Sequence, residues 1–158
     1  MTVFNRFKPE LKLVGCRILG SADTDTSKTI RCFHITPTIY VVGFYGRVKT
    51  AFAGLTRPSV ELGITGDTTR YIQKQRIDVA GTLLKGTAGN IIDGSYDGGI
   101  EGFGGAYGFC TRMDQELQAT AAYNVIATLR LGSGNFSGYT AGEVELVMAF
   151  IDATGSNY

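Results

Sequence analysis

The stretch Val60-Glu61-Leu62-Gly63-Ile64-Thr65-Gly66-Asp67 places an apolar side chain at every second position and then stops at Thr-Gly-Asp. A period of two puts residues 60, 62 and 64 on one face of an extended chain, and a Gly-Asp pair is turn chemistry, so the segment reads as a half-buried strand entering a tight turn. Working outward in both directions, the same pattern recurs. Strands are predicted at 11–19, 29–35, 38–52, 60–64, 77–80, 90–93, 104–113, 123–131 and 142–151, each closed by glycine or a Gly/Ser/Thr/Asp cluster. Many short strands with polar turns between them form a sandwich or a barrel. The class is all-β, with antiparallel strands.

Helical signals are weak. After a cap at Asp67 or Thr68, residues 69–75 hold two turns at most, and 114–119 hold one; neither keeps a 3.6-residue period, so both are read as connections. The 22 glycines against 3 prolines fit a chain of turns and bulges. They are densest within an irregular excursion at about 82–108. The domain plan is an extended N-terminal arm at 1–9, bearing Phe4, Arg6 and Phe7 and ended by Pro9, then a single β-sandwich over 10–158.

Two predicted strands are apolar on both sides. In 38–52, Tyr40, Val42, Phe44, Val48 and Phe52 alternate with Ile39, Val41 and Tyr45. In 142–151, Val144, Leu146, Met148 and Phe150 alternate with Glu143 and Glu145 at first and then with Val147, Ala149 and Ile151. A strand apolar on both faces is covered on both faces. Val41, Tyr45, Val147, Ala149 and Ile151 are therefore the expected oligomer interface.

Lys and Arg number 15 against 14 Asp and Glu, and the cations stand singly, which argues against nucleic acid as a partner. No stretch approaches the roughly 20 apolar residues of a membrane span, and residues 1–9 have no apolar run of the secretion-signal kind. Three cysteines, Cys16, Cys32 and Cys110, lie far apart with no C-x-x-C pair and read as reduced packing residues of a protein made in a cytoplasm. Catalytic residue types are scattered. The one histidine, His34, sits between Phe33 and Ile35 with no motif partner and reads as a sheet-surface residue. The glycines at 99–108 have Tyr107 where a dinucleotide fingerprint needs its third glycine, and no helix follows. The aspartates of Asp23-Thr24-Asp25 and Asp93-Gly94-Ser95-Tyr96-Asp97 supply only part of a calcium shell and read as turn formers. No enzyme, metal or cofactor is expected.

The run Val60 to Ile72, with Gly66-Asp67 leading to Tyr71, resembles a class of small tailed-bacteriophage virion proteins. So do Asn124-Val125-Ile126-Ala127-Thr128-Leu129-Arg130-Leu131 and Tyr139-Thr140-Ala141-Gly142-Glu143-Val144-Glu145-Leu146. In that class a strand, a Gly-Asp loop before an aromatic, and a closing strand pair around Thr-Ala-Gly-Glu recur. The likeness covers about the C-terminal two-thirds of the chain. It implies a jelly-roll-like β-sandwich that forms a homotrimer and binds the major capsid protein as a decoration or cement protein, or sits at the base of a head fibre. The arm, through Phe4, Arg6 and Phe7, is then expected on the capsid surface of the virion. A tail or baseplate component is the nearest alternative, and a carbohydrate-binding β-sandwich using Tyr96 or Tyr107 is another.

Overall fold

A computed structural model describes residues 11–84 and 121–152. The arm at 1–9, nearly all of the glycine-rich excursion, the strands predicted at 90–93 and 104–113, the segment 114–119, Asp93, Asp97, Tyr96, Tyr107 and Cys110 lie outside the described residues.

Eight strands run β1 (Leu11–Leu19), β2 (Ser27–Ile35), β3 (Ile39–Ala53), β4 (Ser59–Ile64), β5 (Asp67–Arg76), β6 (Leu83–Leu84), β7 (Tyr123–Arg130) and β8 (Ala141–Asp152). Their pairing is nested: β4 with β5, β3 with β6, β2 with β7 and β1 with β8, all antiparallel. Two further ladders, β3 with β8 and β4 with β7, fold this long ribbon into two four-stranded sheets, β1-β8-β3-β6 and β2-β7-β4-β5. An eight-stranded ribbon wrapped in that order is a jelly roll. The all-β antiparallel sandwich expected from the periodicity is the observed architecture.

The core lies between the sheets. Phe44 and Val48 of β3, Val144, Leu146 and Met148 of β8 and Ile18 of β1 meet Phe33 and Ile35 of β2, Val60 and Leu62 of β4, Tyr71 and Ile72 of β5 and Val125, Ala127 and Leu129 of β7. Phe44 is the hinge of this contact, with ring centroids 5.8 Å from Phe33 and 4.5 Å from Tyr71 in the opposite sheet. Tyr139 packs against Phe52 at 5.7 Å, accepts from the Gly20 amide at 3.2 Å and donates to the Gly142 carbonyl at 2.9 Å, so this tyrosine is a structural tie.

Three local expectations are corrected. Residues 69–75 belong to β5 and are not a connection. The β4–β5 ladder shifts register between Val60/Leu62 and again between Leu62/Ile64, so the consecutive residues Tyr71 and Ile72 are both buried and the period of two is lost. Residues 77–80 are not a strand: Ile77 is buried, donates to the Pro58 carbonyl at 3.1 Å and accepts from the Phe52 amide at 2.9 Å, while the chain beyond it turns. The third correction concerns which side of β3 faces the core. Register shifts between Val41 and Gly43, leaving Val42 as the extra residue of a bulge. Val41 therefore pairs with Phe150 and packs, with Ile39, against the core, whereas Tyr40 pairs with Ile151 and stands on the outer face.

Candidate interaction surface

Directly opposed residues of an antiparallel ladder share a face, so the register of β1, β8 and β3 gives the outer surface of their sheet row by row. The rows are Leu11–Ile151–Tyr40, Leu13–Ala149–Gly43, Gly15–Val147–Tyr45, Arg17–Glu145–Arg47 and Leu19–Glu143–Thr50. Three apolar rows thus lie beside two charged ones.

The apolar rows are built by the second face of two strands that bury their first face in the sandwich. Leu11 and Leu13 are 58% and 67% exposed, Val147, Ile151, Tyr40 and Tyr45 are half-buried, and Ala149 is buried. Of the large exposed hydrophobics among the described residues, Leu11, Leu13, Val14 and Leu19 are all on β1, and Val79 alone is elsewhere. β1 is also an edge strand: among the described residues its ladder partner is β8. An exposed apolar edge beside an apolar face is a candidate surface for association, because water-facing patches of this kind promote it.

Four of the five residues predicted for an oligomer interface, Tyr45, Val147, Ala149 and Ile151, come together on this face. Val41 does not, because of the bulge. Leu11, Leu13 and Tyr40 join them there. Leu11 and Leu13 sit in a strand predicted correctly, and the register that sets them beside Ile151 and Ala149 joins segments about 140 residues apart, which local periodicity does not encode.

The charged rows form a ladder across three strands. Arg17 Nε donates to Glu143 Oε1 at 2.6 Å, Lys49 Nζ lies 3.3 Å from the same oxygen and 3.2 Å from Glu145 Oε1, and Arg47 donates to Glu145 Oε2 from Nε at 2.7 Å and from a terminal nitrogen at 2.6 Å. Arg17, ahead of Lys49, holds the Glu143 carboxyl below the ordinary carboxylate range; Arg47 and then Lys49 do the same to Glu145. Carboxyls with lowered folded values stabilise the fold fully above the unfolded value of about 4.3, and that contribution is withdrawn as pH falls through the lower folded values. The melting temperature is expected to drop on acidification below about pH 4, and Glu143→Gln/Glu145→Gln is expected to flatten that drop. Thermal melts of both proteins from pH 7 to 3 measure it. The cations Arg17, Arg47 and Lys49 that pair with these carboxyls are exposed, so the difference between the two narrows in 1 M salt, where screening acts over about 3 Å.

The outer face of the other sheet is polar. Glu61, 5% exposed, accepts from Arg130 Nε at 3.1 Å and from the Thr68 hydroxyl at 2.7 Å. His34 stands exposed opposite Asn124, with Nδ1 2.9 Å from its Oδ1. Asp23 is engaged by the Lys28 ammonium, by the Asp25 amide at 3.0 Å and by Ser21, which is the turn-forming role expected of it. A cavity of about 310 Å³ is lined by Arg57, Ser59, Lys74, Gln75, Arg76 and Gly132, a set without histidine or carboxylate.

The fold and this surface define a jelly-roll protein with one apolar outer face. No protein-family model matches the chain, and no curated protein matches it. Among solved structures, a chain of the Cyanophage Pam1 capsid asymmetric unit has the same fold, with a TM-score of 0.55 at 11% identity over 96% of this chain and 91% of that one.

Proposed function

We propose that this protein is a non-enzymatic structural component of a bacteriophage virion, a homotrimeric decoration or cement protein that binds across major capsid protein subunits on the head surface. The observation that carries the reading is the outer face of the β1-β8-β3 sheet, where Leu11, Leu13, Tyr45, Val147 and Ile151 form apolar rows with no role in the core of their own sandwich. Support comes also from the jelly-roll order and from the capsid assembly in which a chain of the same fold occurs. The apolar rows supply contact between sister copies, and a threefold ring closes by repeating the same head-to-tail interface between each copy and the next. The charged rows beside them fix orientation, since opposed like charges disfavour wrong registers. The near balance of 15 basic and 14 acidic residues suits protein partners better than phosphate. The product is mechanical: a bound trimer spans several shell subunits and raises the cost of separating them through multivalency.

Light scattering at micromolar concentration tests it. A mass of about 51 kDa, three times the 16.9 kDa chain, is expected. Leu13→Lys, at an exposed site of β1, is expected to leave the circular dichroism spectrum unchanged and to weaken association about 100-fold, a hot-spot effect of roughly 3 kcal/mol. A wild-type monomer overturns the trimer, and unchanged assembly in Leu13→Lys removes this face from it. Purified trimer mixed with capsids lacking it is expected to decorate them in electron micrographs; bare capsids overturn the decoration role.

A further inference from the structure

The two sheets each begin with an edge strand, β1 in one and β2 in the other, joined by the loop at 20–26. Each carries one cysteine. Cys16 pairs with Leu146 in the β1–β8 ladder and so projects on the core side of its sheet, in the row that holds Gly46. Cys32 is the extra residue of the β2 bulge: Arg31 pairs with Ile126 and Phe33 with Val125, leaving Cys32 unmatched between them. A bulge re-aims the side chain it inserts. Both cysteines pack partly buried against the core, both are free thiols, and the two side chains are near enough to influence each other electrostatically. The Cys32 thiol also lies 3.5 Å from the Ile30 carbonyl.

We propose that Cys16 and Cys32 form an oxidisable dithiol that closes into an inter-sheet disulfide, tying the open β1/β2 edge of the sandwich when the protein meets an oxidising medium. The placement is independent of the virion reading. Two thiols packed against the core from opposite sheets, neighbours at the edge where β1 and β2 adjoin, have the placement that a cross-link between sheets needs. A reducing cytoplasm keeps them as thiols; release from a cell removes that reductant.

The reaction is thiol–disulfide exchange with a low-molecular-weight disulfide. The Cys16 sulfur, after losing its proton to solvent, attacks one sulfur of the oxidant; the oxidant's S–S bond breaks, one small thiol leaves and a mixed disulfide remains on Cys16. Cys32 then loses its proton and attacks the Cys16 sulfur, expelling the second small thiol. Two protein S–H bonds and one external S–S bond are consumed, one protein S–S bond and two small thiols are formed, and the two electrons reside in those thiols. Burial, reinforced by the Cys16 sulfur, pushes the Cys32 thiol well above its ordinary range, which assigns the first attack to Cys16 and makes the second step the slower, base-accelerated one.

The sequence makes the test clean, because trypsin places the cysteines on separate peptides, 13–17, 32–47 and 86–112. The folded protein is incubated with oxidised glutathione at pH 8.5, blocked with an alkylating agent and digested without reductant. The expected product is the 13–17/32–47 cross-linked pair, with the intact chain lighter by about 2 Da, from two hydrogens lost. Its melting temperature is expected to rise by about 5–12 °C, as for a short closed loop in a domain of this size. Cys110→Ser is expected to give the same cross-link in the same yield, and Cys32→Ser to stop at one glutathione on Cys16. Pairing through Cys110, disulfides between chains in place of the internal one, or both thiols remaining open to the alkylating agent overturns the proposal.

Discussion

Phe44→Ala is expected to cost about 3–5 kcal/mol, a large part of the stability of an ordinary domain. Phe44 is 1% exposed and is the ring through which β3 touches both Phe33 and Tyr71 of the opposite sheet. Truncation removes the buried area and leaves a cavity between two rigid sheets that do not close over it, because each is held by its own hydrogen-bond ladders. Tyr71 loses its ring partner in the opposite sheet, although its hydroxyl contact with Tyr123 at 2.9 Å remains. Urea unfolding followed by circular dichroism measures the effect as a fall in midpoint at constant slope. Phe44→Leu, which retains most of the volume, is expected to lose less than half as much. Equal losses for the two variants contradict this account of the core.

Gly63→Ala is the second large effect, although it adds a single methyl group. A Cβ at Gly63 falls 2.1 Å from the Asp67 carbonyl oxygen and 2.6 Å from the Thr68 carbonyl carbon, both backbone atoms of the adjoining strand β5. Backbone does not rotate aside as a side chain does, so β4 and β5 have to separate at the hairpin. A loss of about 3 kcal/mol or more, the upper end of overpacking, is expected. Gly66, at φ +90° in the turn, has open space where its Cβ would stand, so Gly66→Ala reports left-handed backbone strain alone, at about 1 kcal/mol. Chemical denaturation of the pair separates collision from strain: Gly63→Ala is expected to be the worse by at least about 2 kcal/mol.

These two positions mark what the chain discloses and what it withholds. Alternation at 60–64 is legible because Val60 and Leu62 point into the core and a Gly-Asp turn closes the strand; β8 is legible because Val144, Leu146 and Met148 alternate in the same way. Bulges conceal the rest. Two register shifts in β5 leave Tyr71 and Ile72 side by side in the core and erase the period, and one extra residue in β3 moves Val41 from the outer face to the inner. Within the interaction surface, Tyr45, Val147, Ala149 and Ile151 follow from a single strand's two apolar faces. Leu11 and Leu13 require the β1–β8 register, and the meeting of Cys16 with Cys32 requires knowing that two edges adjoin. Each is a relation between distant segments fixed by the wrapping of the whole ribbon.

That wrapping also governs when the protein comes into being. Leu11 pairs with Ile151, so the first strand waits for the last, and β8 is the piece that joins β1 to β3. On the ribosome, β4 and β5 have their neighbour within a few residues, whereas the partner of β1 among the described residues, β8, emerges only with residues 141–152. Pairings this remote in sequence belong to domains that fold in milliseconds to seconds. For the length of its own synthesis the strand richest in exposed leucine is an orphan, and a cell making many copies at once has to keep those orphans from finding each other first.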